Sequence, residues 1–380
     1  MRIGVVTGEY PPMQGGVGDF TRELCKALAA LGQEVHILTR VGSESKGLPA
    51  NCHLHPGVER WDWSTSGRLR RWIQTHDLEI VNLQYQAAAY EMHPAVNLLS
   101  SRAAGVPLVV TFHDLNVPYL FPKAGRIRWW AVLALARRAS GVIVTNREDQ
   151  LILERYRAIA RLAAIPIGSN ISPSPPPSYD RDAWRRRWGV RSDETLLGYF
   201  GFLNESKGSK DLIRTCEILK GSPVKLMMIG GRTGSSDPSN QYYAKEIDDL
   251  IAELGLEEQI FWTGYCPSSE VSAGLLAADI LLLPYRDGVS YRRGSFMAAV
   301  AHGRPIISTT PRVELESLRH QENIYLVPPA APVAMAEAVR TLRKNDMLCK
   351  KLAAGSAELA RSFRWDSIAQ ATLALFESTR

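Results

Sequence analysis

Short apolar runs alternate with amphipathic stretches along the whole chain, and this rhythm predicts parallel sheets built from strand–helix–strand units. In the first half, the buried-strand pattern falls on Ile3–Thr7, Glu34–Thr39, Glu79–Leu83, Pro107–Phe112 and Gly141–Thr145. Helical spacing falls on Gly18–Leu31, Pro94–Ala104, Ile127–Ala139 and Asp149–Tyr156. The run Ser172-Pro-Ser-Pro-Pro-Pro-Ser178 then breaks the pattern. So much proline forms neither a helix nor a central strand and reads as a stiff, extended linker. Beyond it, strands are expected at Leu196–Phe200, Lys225–Ile229, Ile260–Thr263, Asp279–Leu283, Pro305–Ser308 and Ile324–Val327. The matching helices are Lys207–Leu219, Tyr242–Leu254, Ser268–Ala277, Val333–Lys344 and Met347–Ala360, with Asp366 the expected cap of a last one. The expected organisation is an α/β, Rossmann-like doubly wound domain over 1–172, a linker over 173–180 and a second such domain over 181–363. A cleft between the two is the expected place for chemistry.

Composition narrows the class. A chain of 380 residues suits two domains, and 45% hydrophobic with 22% charged residues is a soluble globular balance. No run of about 18 apolar residues is long enough to span a bilayer. Met1-Arg-Ile-Gly-Val-Val-Thr7 enters a strand pattern directly, without a signal-peptide pattern. Five scattered cysteines form no CxxC pair and no metal-ligand spacing, so reduced thiols, no metal site and a cytoplasmic location are expected. The net charge of +6 is uneven: residues 1–172 carry 19 Lys and Arg against 14 Asp and Glu. A basic first half fits an anionic small molecule or an anionic lipid surface, and it is too mild for nucleic acid.

Four segments carry candidate chemistry. Tyr10-Pro-Pro-Met-Gln-Gly15-Gly16-Val-Gly18 joins the first strand to the first helix, where glycines let backbone approach a ligand, or simply make a tight turn. It is not a GxGxxG dinucleotide fingerprint. Thr111-Phe-His113-Asp114 ends a strand, where His113 can donate to a sugar hydroxyl or phosphate, or pack as a partly buried side chain beside a capping Asp114. Gly201-Phe-Leu-Asn-Glu-Ser-Lys207-Gly208 puts an ammonium at a helix start, beside one phosphate or in solvent. Asp287-Gly-Val-Ser290-Tyr-Arg292-Arg293-Gly294-Ser295 follows an apolar strand and opens a short helix. Its free N–H groups and two arginines suit a diphosphate. Of the two arginines, one is expected to point inward and the other to solvent.

In this order the segments resemble glycosyltransferase family 4, enzymes of the GT-B fold, over nearly the whole chain. Ile165-Pro-Ile-Gly-Ser-Asn170 is similar to that family's IPNG segment, and Ala301-His-Gly303-Arg-Pro305 to its ACGxPV. Phe363-x-Trp365-Asp366-x-Ile368 is similar to its closing helix, which implies that 364–380 packs back on the first domain. The chain departs from the family at its Glu-x7-Glu pair, whose places fall on Ser290 and Ala298. Phe202 stands where an arginine is common, and Ile167 replaces the IPNG asparagine.

The resemblance implies transfer of a sugar from a UDP- or GDP-type nucleotide sugar to a hydroxyl, with retention. The donor is a substrate, and neither a metal nor a further cofactor is expected. His113, Lys207, Arg292 and Arg293 are the catalytic candidates. Gly15, Gly16, Gly201, Lys207, Asp287, Ser290, Gly294 and Ser295 are the donor-binding ones. With no acid at Ser290 or Ala298, same-face attack assisted by a donor phosphate oxygen is expected there, rather than a carboxylate nucleophile. Alternatives on the same frame are a non-catalytic nucleotide-sugar or glycan binder and a nucleotide-sugar hydrolase or epimerase. The acceptor, a sugar, lipid-linked or small-molecule hydroxyl, is assigned to the first domain. There Pro122–Arg138 mixes basic residues with Trp129 and Trp130, as a membrane-surface helix does, although tryptophans packed into the core would read the same way.

Overall fold

The computed structural model describes residues 1–13, 15–113, 115, 125–232 and 238–380, without the side chains of 125–128 and 238–241. Asp114 and residues 122–124 of the basic–aromatic segment therefore lie outside the described residues. The chain divides into two compact units, Met1–Gly168 with Arg364–Arg380, and Ser169–Phe363.

Unit 1 runs β1 (Arg2–Thr7), α1 (Gly16–Ala30), β2 (Glu34–Arg40), β3 (Cys52–Val58), α2 (Thr65–Thr75), β4 (Ile80–Tyr85), α3 (Ser101–Ala104), β5 (Leu108–Phe112), α4 (Gly125–Arg138), β6 (Gly141–Val144), α5 (Arg147–Glu154) and β7 (Leu162–Ala164). Its strands form one parallel sheet in the order β3-β2-β1-β4-β5-β6-β7. Strand residues turn alternately to two apolar layers, Ile3, Val5 and Val35 to one and Val6, Leu38 and Leu83 to the other. Burial on both faces is what a parallel sheet requires.

Unit 2 contains α6 (Arg181–Arg187), β8 (Thr195–Phe200), α7 (Ser209–Ile218), β9 (Val224–Ile229), α8 (Pro238–Glu253), β10 (Ile260–Trp262), α9 (Ser268–Ala277), β11 (Ile280–Leu283), α10 (Gly294–Ala301), β12 (Ile306–Thr309), β13 (Tyr325–Val327), α11 (Pro332–Lys344) and α12 (Asp346–Ala360). Its parallel sheet has the order β10-β9-β8-β11-β12-β13. The last helix, α13 (Trp365–Ser378), belongs to unit 1, where Trp365 lies 5.3 Å from the Phe20 ring of α1.

Several elements differ from the sequence expectation, each for a local reason. Strand β3 contains Pro56 and Gly57 and lies at a sheet edge, so it lacks a strong apolar run. β7 is three residues long and is also an edge strand. Helix α2 buries only Thr65, Leu69, Trp72 and Ile73 of a mostly polar sequence. α6 is seven residues, four of them arginine. The expected helix Pro94–Ala104 breaks at Leu99, which is extended, into a 3₁₀ turn over Pro94–Leu98 and the short α3. Asp366 is not the cap of α13. Arg364 holds that position, and Asp366 sits in the first turn, accepting from the Ser367 N–H at 2.8 Å and pairing with Arg364 at 2.9 Å.

In both sheets the strand order reverses next to the first strand of the unit, between β1 and β4 and between β8 and β11. Ligands of open α/β sheets bind outside the carboxyl ends of strands at such reversals. All the sequence-derived candidate residues follow β1, β5, β8 or β11.

Candidate active site

The loops after β8 and β11 in unit 2 converge on a cationic site. Lys207 ends a 3₁₀ turn over Glu205–Lys207, capped by Asn204, whose side-chain oxygen accepts from the Lys207 N–H at 3.0 Å. Gly208 follows at φ 70°, and a Cβ there would lie 1.8 Å from the Pro284 carbonyl oxygen, so only glycine lets this turn seat against the exit of β11. Gly201, at φ 133°, leaves similar room. A Cβ at that position would meet Lys207 Nζ at 3.1 Å and Ser295 Oγ at 3.6 Å, so the ammonium and the hydroxyl flank one spot.

The electrostatics are unusual. Burial, with the charge of Arg293 beside it, pushes the Lys207 ammonium down to about 8. Arg293 lies 4.7 Å above the Tyr285 ring, pairs with Asp287 and reaches Ser206 Oγ at 3.4 Å. Its Nε is buried without a hydrogen-bond partner. Tyr285 hydroxyl and Ser295 Oγ share a buried hydrogen bond of 2.7 Å. Among the described residues one carboxylate, Asp287, faces the cations Arg292 and Arg293, and none pairs with Lys207. Helix α10 begins here at Gly294 with no side-chain cap, so its first-turn N–H groups and dipole add to the same field.

One expectation changes at this site. The arginines do not split between interior and solvent. Both turn toward Asp287, with side chains 27% exposed for Arg292 and 13% for Arg293. Asp287 is the counter-ion of both. Ser290 replaces the first family glutamate with a hydroxyl that is buried and without a hydrogen-bond partner, and Ala298 is packed inside α10.

Unit 1 is arranged differently. The carboxylate of Glu9 accepts from the N–H groups of Val17 at 2.9 Å and Gly18 at 3.2 Å. Burial raises its pKa against the lowering effect of those two bonds. A Cβ on Gly15 would meet the carboxylate at 2.2 Å, whereas at Gly16 it would meet nothing within 4 Å. Two first-turn N–H groups of α1 are therefore already paired within the chain.

His113 sits at the end of a buried polar relay. Asn82 donates to Thr111 Oγ1 at 3.0 Å and to the Val109 carbonyl at 3.2 Å. Gln84 donates to Asn82 Oδ1, and Gln84 Oε1 accepts from His113 Nε2 at 2.8 Å. The ring meets Phe20 edge-on at 4.8 Å, and burial pushes its pKa down to about 3, so the imidazole is neutral near pH 7. The donor nitrogen expected to serve a substrate is thus engaged by Gln84. Sequence reasoning missed Glu9, Asn82 and Gln84. The available signal was two polar residues inside the otherwise apolar strand β4.

Two parallel, Rossmann-like sheets with loops of this kind after their reversal points define the GT-B class of transferases. Solved structures support the fold: HepE from Anabaena in complex with UDP and glucose matches all of both chains at TM-score 0.76 and 19% identity. Sucrose-phosphate synthase from Thermosynechococcus elongatus matches at 0.75 and 20%, over 100% of this chain and 98% of that one. The Glycosyltransferase Family 4 model matches residues 14–172 and the Glycosyl transferases group 1 model residues 180–358, so the chain belongs to the family-4 glycosyltransferases and is an enzyme of that type. Similar proteins include a phosphatidyl-myo-inositol mannosyltransferase from Mycobacterium leprae, 24% identical over all of this chain and 97% of that protein. A D-inositol 3-phosphate glycosyltransferase from Xylanimonas cellulosilytica is 25% identical over 95% of this chain and 91% of the relative.

Proposed function

We propose that the chain transfers a sugar from a nucleoside-diphosphate sugar of the UDP or GDP type to an acceptor hydroxyl, with retention and with protein cations in the place a metal takes in other transferases. One observation carries the reading. Lys207 and Arg293 sit side by side at the uncapped start of α10, and only Asp287 among the described carboxylates opposes them. A departing diphosphate gains negative charge as the sugar bond lengthens, and fixed donors already aimed at it stabilise that change without reorganising. The UDP complex of HepE supports a nucleotide donor. With Ser290 and Ala298 at the motif positions, attack on the face the diphosphate leaves, with a phosphate oxygen taking the acceptor proton, is the mechanism these residues favour. His113 orients the donor sugar.

Relatives named for inositol compounds put a polyol hydroxyl, free or lipid-linked, first among acceptors. No described helix is long and apolar enough to cross a membrane. Peripheral contact is supported by α4, where Trp129 packs inward and donates to Tyr156 at 2.9 Å while Trp130 is 62% exposed and shares a face with the exposed Arg137. Vesicle sedimentation at low and high salt tests that contact.

The central test is product formation from UDP- and GDP-sugars with inositol-type acceptors. Lys207→Ala should lower turnover by roughly two to three orders of magnitude, as loss of one such donor does elsewhere. Turnover near the wild-type rate would remove the clamp from the mechanism.

A further inference from the structure

No metal-ligand spacing is visible along the sequence, yet the fold of unit 1 assembles one. Register pairs His36 of β2 with His53 of β3, and His55 follows on the same face of β3. On β2, Val35 and Ile37 turn to the α1 layer, so His36 turns with Leu38 toward α2. His76, the residue that caps the C-terminus of α2, closes over them. Four of the chain's eight histidines thus meet in one place. His36 Nδ1 lies 3.1 Å from His55 Nε2, and the His55 and His76 ring centres are 4.3 Å apart. One ligand nitrogen from each of His36, His55 and His76 lies within 4.8 Å of the other two. On the far side of the His36 ring, Nε2 is 3.4 Å from Glu34 Oε1, and that oxygen is 3.6 Å from His53 Nε2.

A pile of imidazoles alone is a poor explanation for this arrangement. His36 Nε2 is buried, with only the loose 3.4 Å contact to Glu34 Oε1 to satisfy it. Apolar side chains would fill the space under Trp72 at lower desolvation cost. An unprotonated imidazole offers one lone-pair nitrogen to an ion. Two nitrogens bound tetrahedrally at about 2.0–2.1 Å to one ion stand roughly 3.3–3.4 Å apart, close to the His36–His55 separation. A carboxylate behind one ring is also how metal-bound histidines are commonly oriented.

We propose that His36, His55 and His76 form a binding site for one borderline divalent transition ion of the Zn2+ class, with Glu34 and His53 steadying His36 from behind. Imidazole donors without thiolate suit zinc and its neighbours in the series, not magnesium or calcium. The proton now shared between His36 and His55 moves to an outer nitrogen of its own ring on binding, so none is released. Bound there, the ion ties the end of α2 to the β2–β3 edge.

The test uses the full chain, free of any polyhistidine tag and stripped with chelator, titrated calorimetrically with ZnCl2. One ion per chain at micromolar affinity or better is expected. His55→Asn and His76→Asn should each weaken binding by at least about 100-fold, and Glu34→Gln by about tenfold. Because His76 is only half-buried, its variant should retain the wild-type circular dichroism spectrum. Co2+ added to wild type should give the intense visible bands of a four-coordinate ion, absent in His76→Asn. Lys207→Ala, altered only in unit 2, should bind Zn2+ as wild type does. Wild-type protein that takes up neither ion, or His55→Asn and His76→Asn proteins that bind as tightly as wild type, would overturn the proposal.

Discussion

The starts of α1 and α10 look alike in sequence, each a glycine-bearing turn between a parallel strand and a helix. In the folded chain they are opposites. At α1 the chain supplies its own anion, the carboxylate of Glu9, to two first-turn N–H groups. At α10 no side chain caps the helix, and Lys207 and Arg293 add positive charge to the dipole. A glycine turn therefore marks room for an anion, and the nearest charged side chain decides whether the chain itself fills it.

The sharpest way to break this contrast is Arg293→Ala. It should reduce turnover by roughly two to three orders of magnitude, close to the effect of losing Lys207, as steady-state assays would read. A fall of less than tenfold would mean that α10 is no more an anion site than α1. Glu9→Ala probes the other side. Removal of a cap should destabilise the fold by about 0.5–2 kcal/mol in urea melts, with nucleotide affinity nearly unchanged. If the affinity of Glu9→Ala for pyrophosphate instead rises strongly, α1 is a latent version of the same site.

Lys207→Met sharpens the contrast from stability. A buried ammonium held down to about 8 disfavours the folded state at pH 7, so the apolar variant should melt about 2–4 °C higher while losing activity. The smallest effect concerns pH. Between its ordinary value of 6.5 and about 3, folded His113 binds fewer protons than the unfolded chain. Its contribution to stability is therefore complete above pH 6.5 and lost as pH falls through that window. His113→Gln should flatten the acid side of the melting profile, with part of the remaining slope carried by His36, His55 and His302, whose shifts have the same direction.

Much of this was legible in the chain. The strands of unit 2 are short apolar runs, and β8 and β11 end in the glycine, lysine and arginine segments that mark the site. Edge strands β3 and β7 and the polar helices α2 and α6 escaped because they bury too little to impose a period. Partners were harder to read than elements. Nothing local says that Glu9 folds back onto Val17 and Gly18, or that Asp287 neutralises Arg293, since both pairings depend on a turn closing. The histidines of β2, β3 and α2 are unremarkable until parallel pairing and one helix end bring them face to face.

The relay from Thr111 to His113 has one direction, because each amide along it gives a proton toward the strand interior and accepts one from the side of the ring. Its far end is consequently Nδ1, a lone pair with no hydrogen to offer. Any molecule that meets that nitrogen must bring the proton itself. A hydroxyl can do so; its deoxy or methylated counterpart cannot, and would leave the imidazole unanswered. Three amide-bearing and hydroxyl side chains hidden in the sheet thereby fix which ring nitrogen of His113 donates and which one accepts.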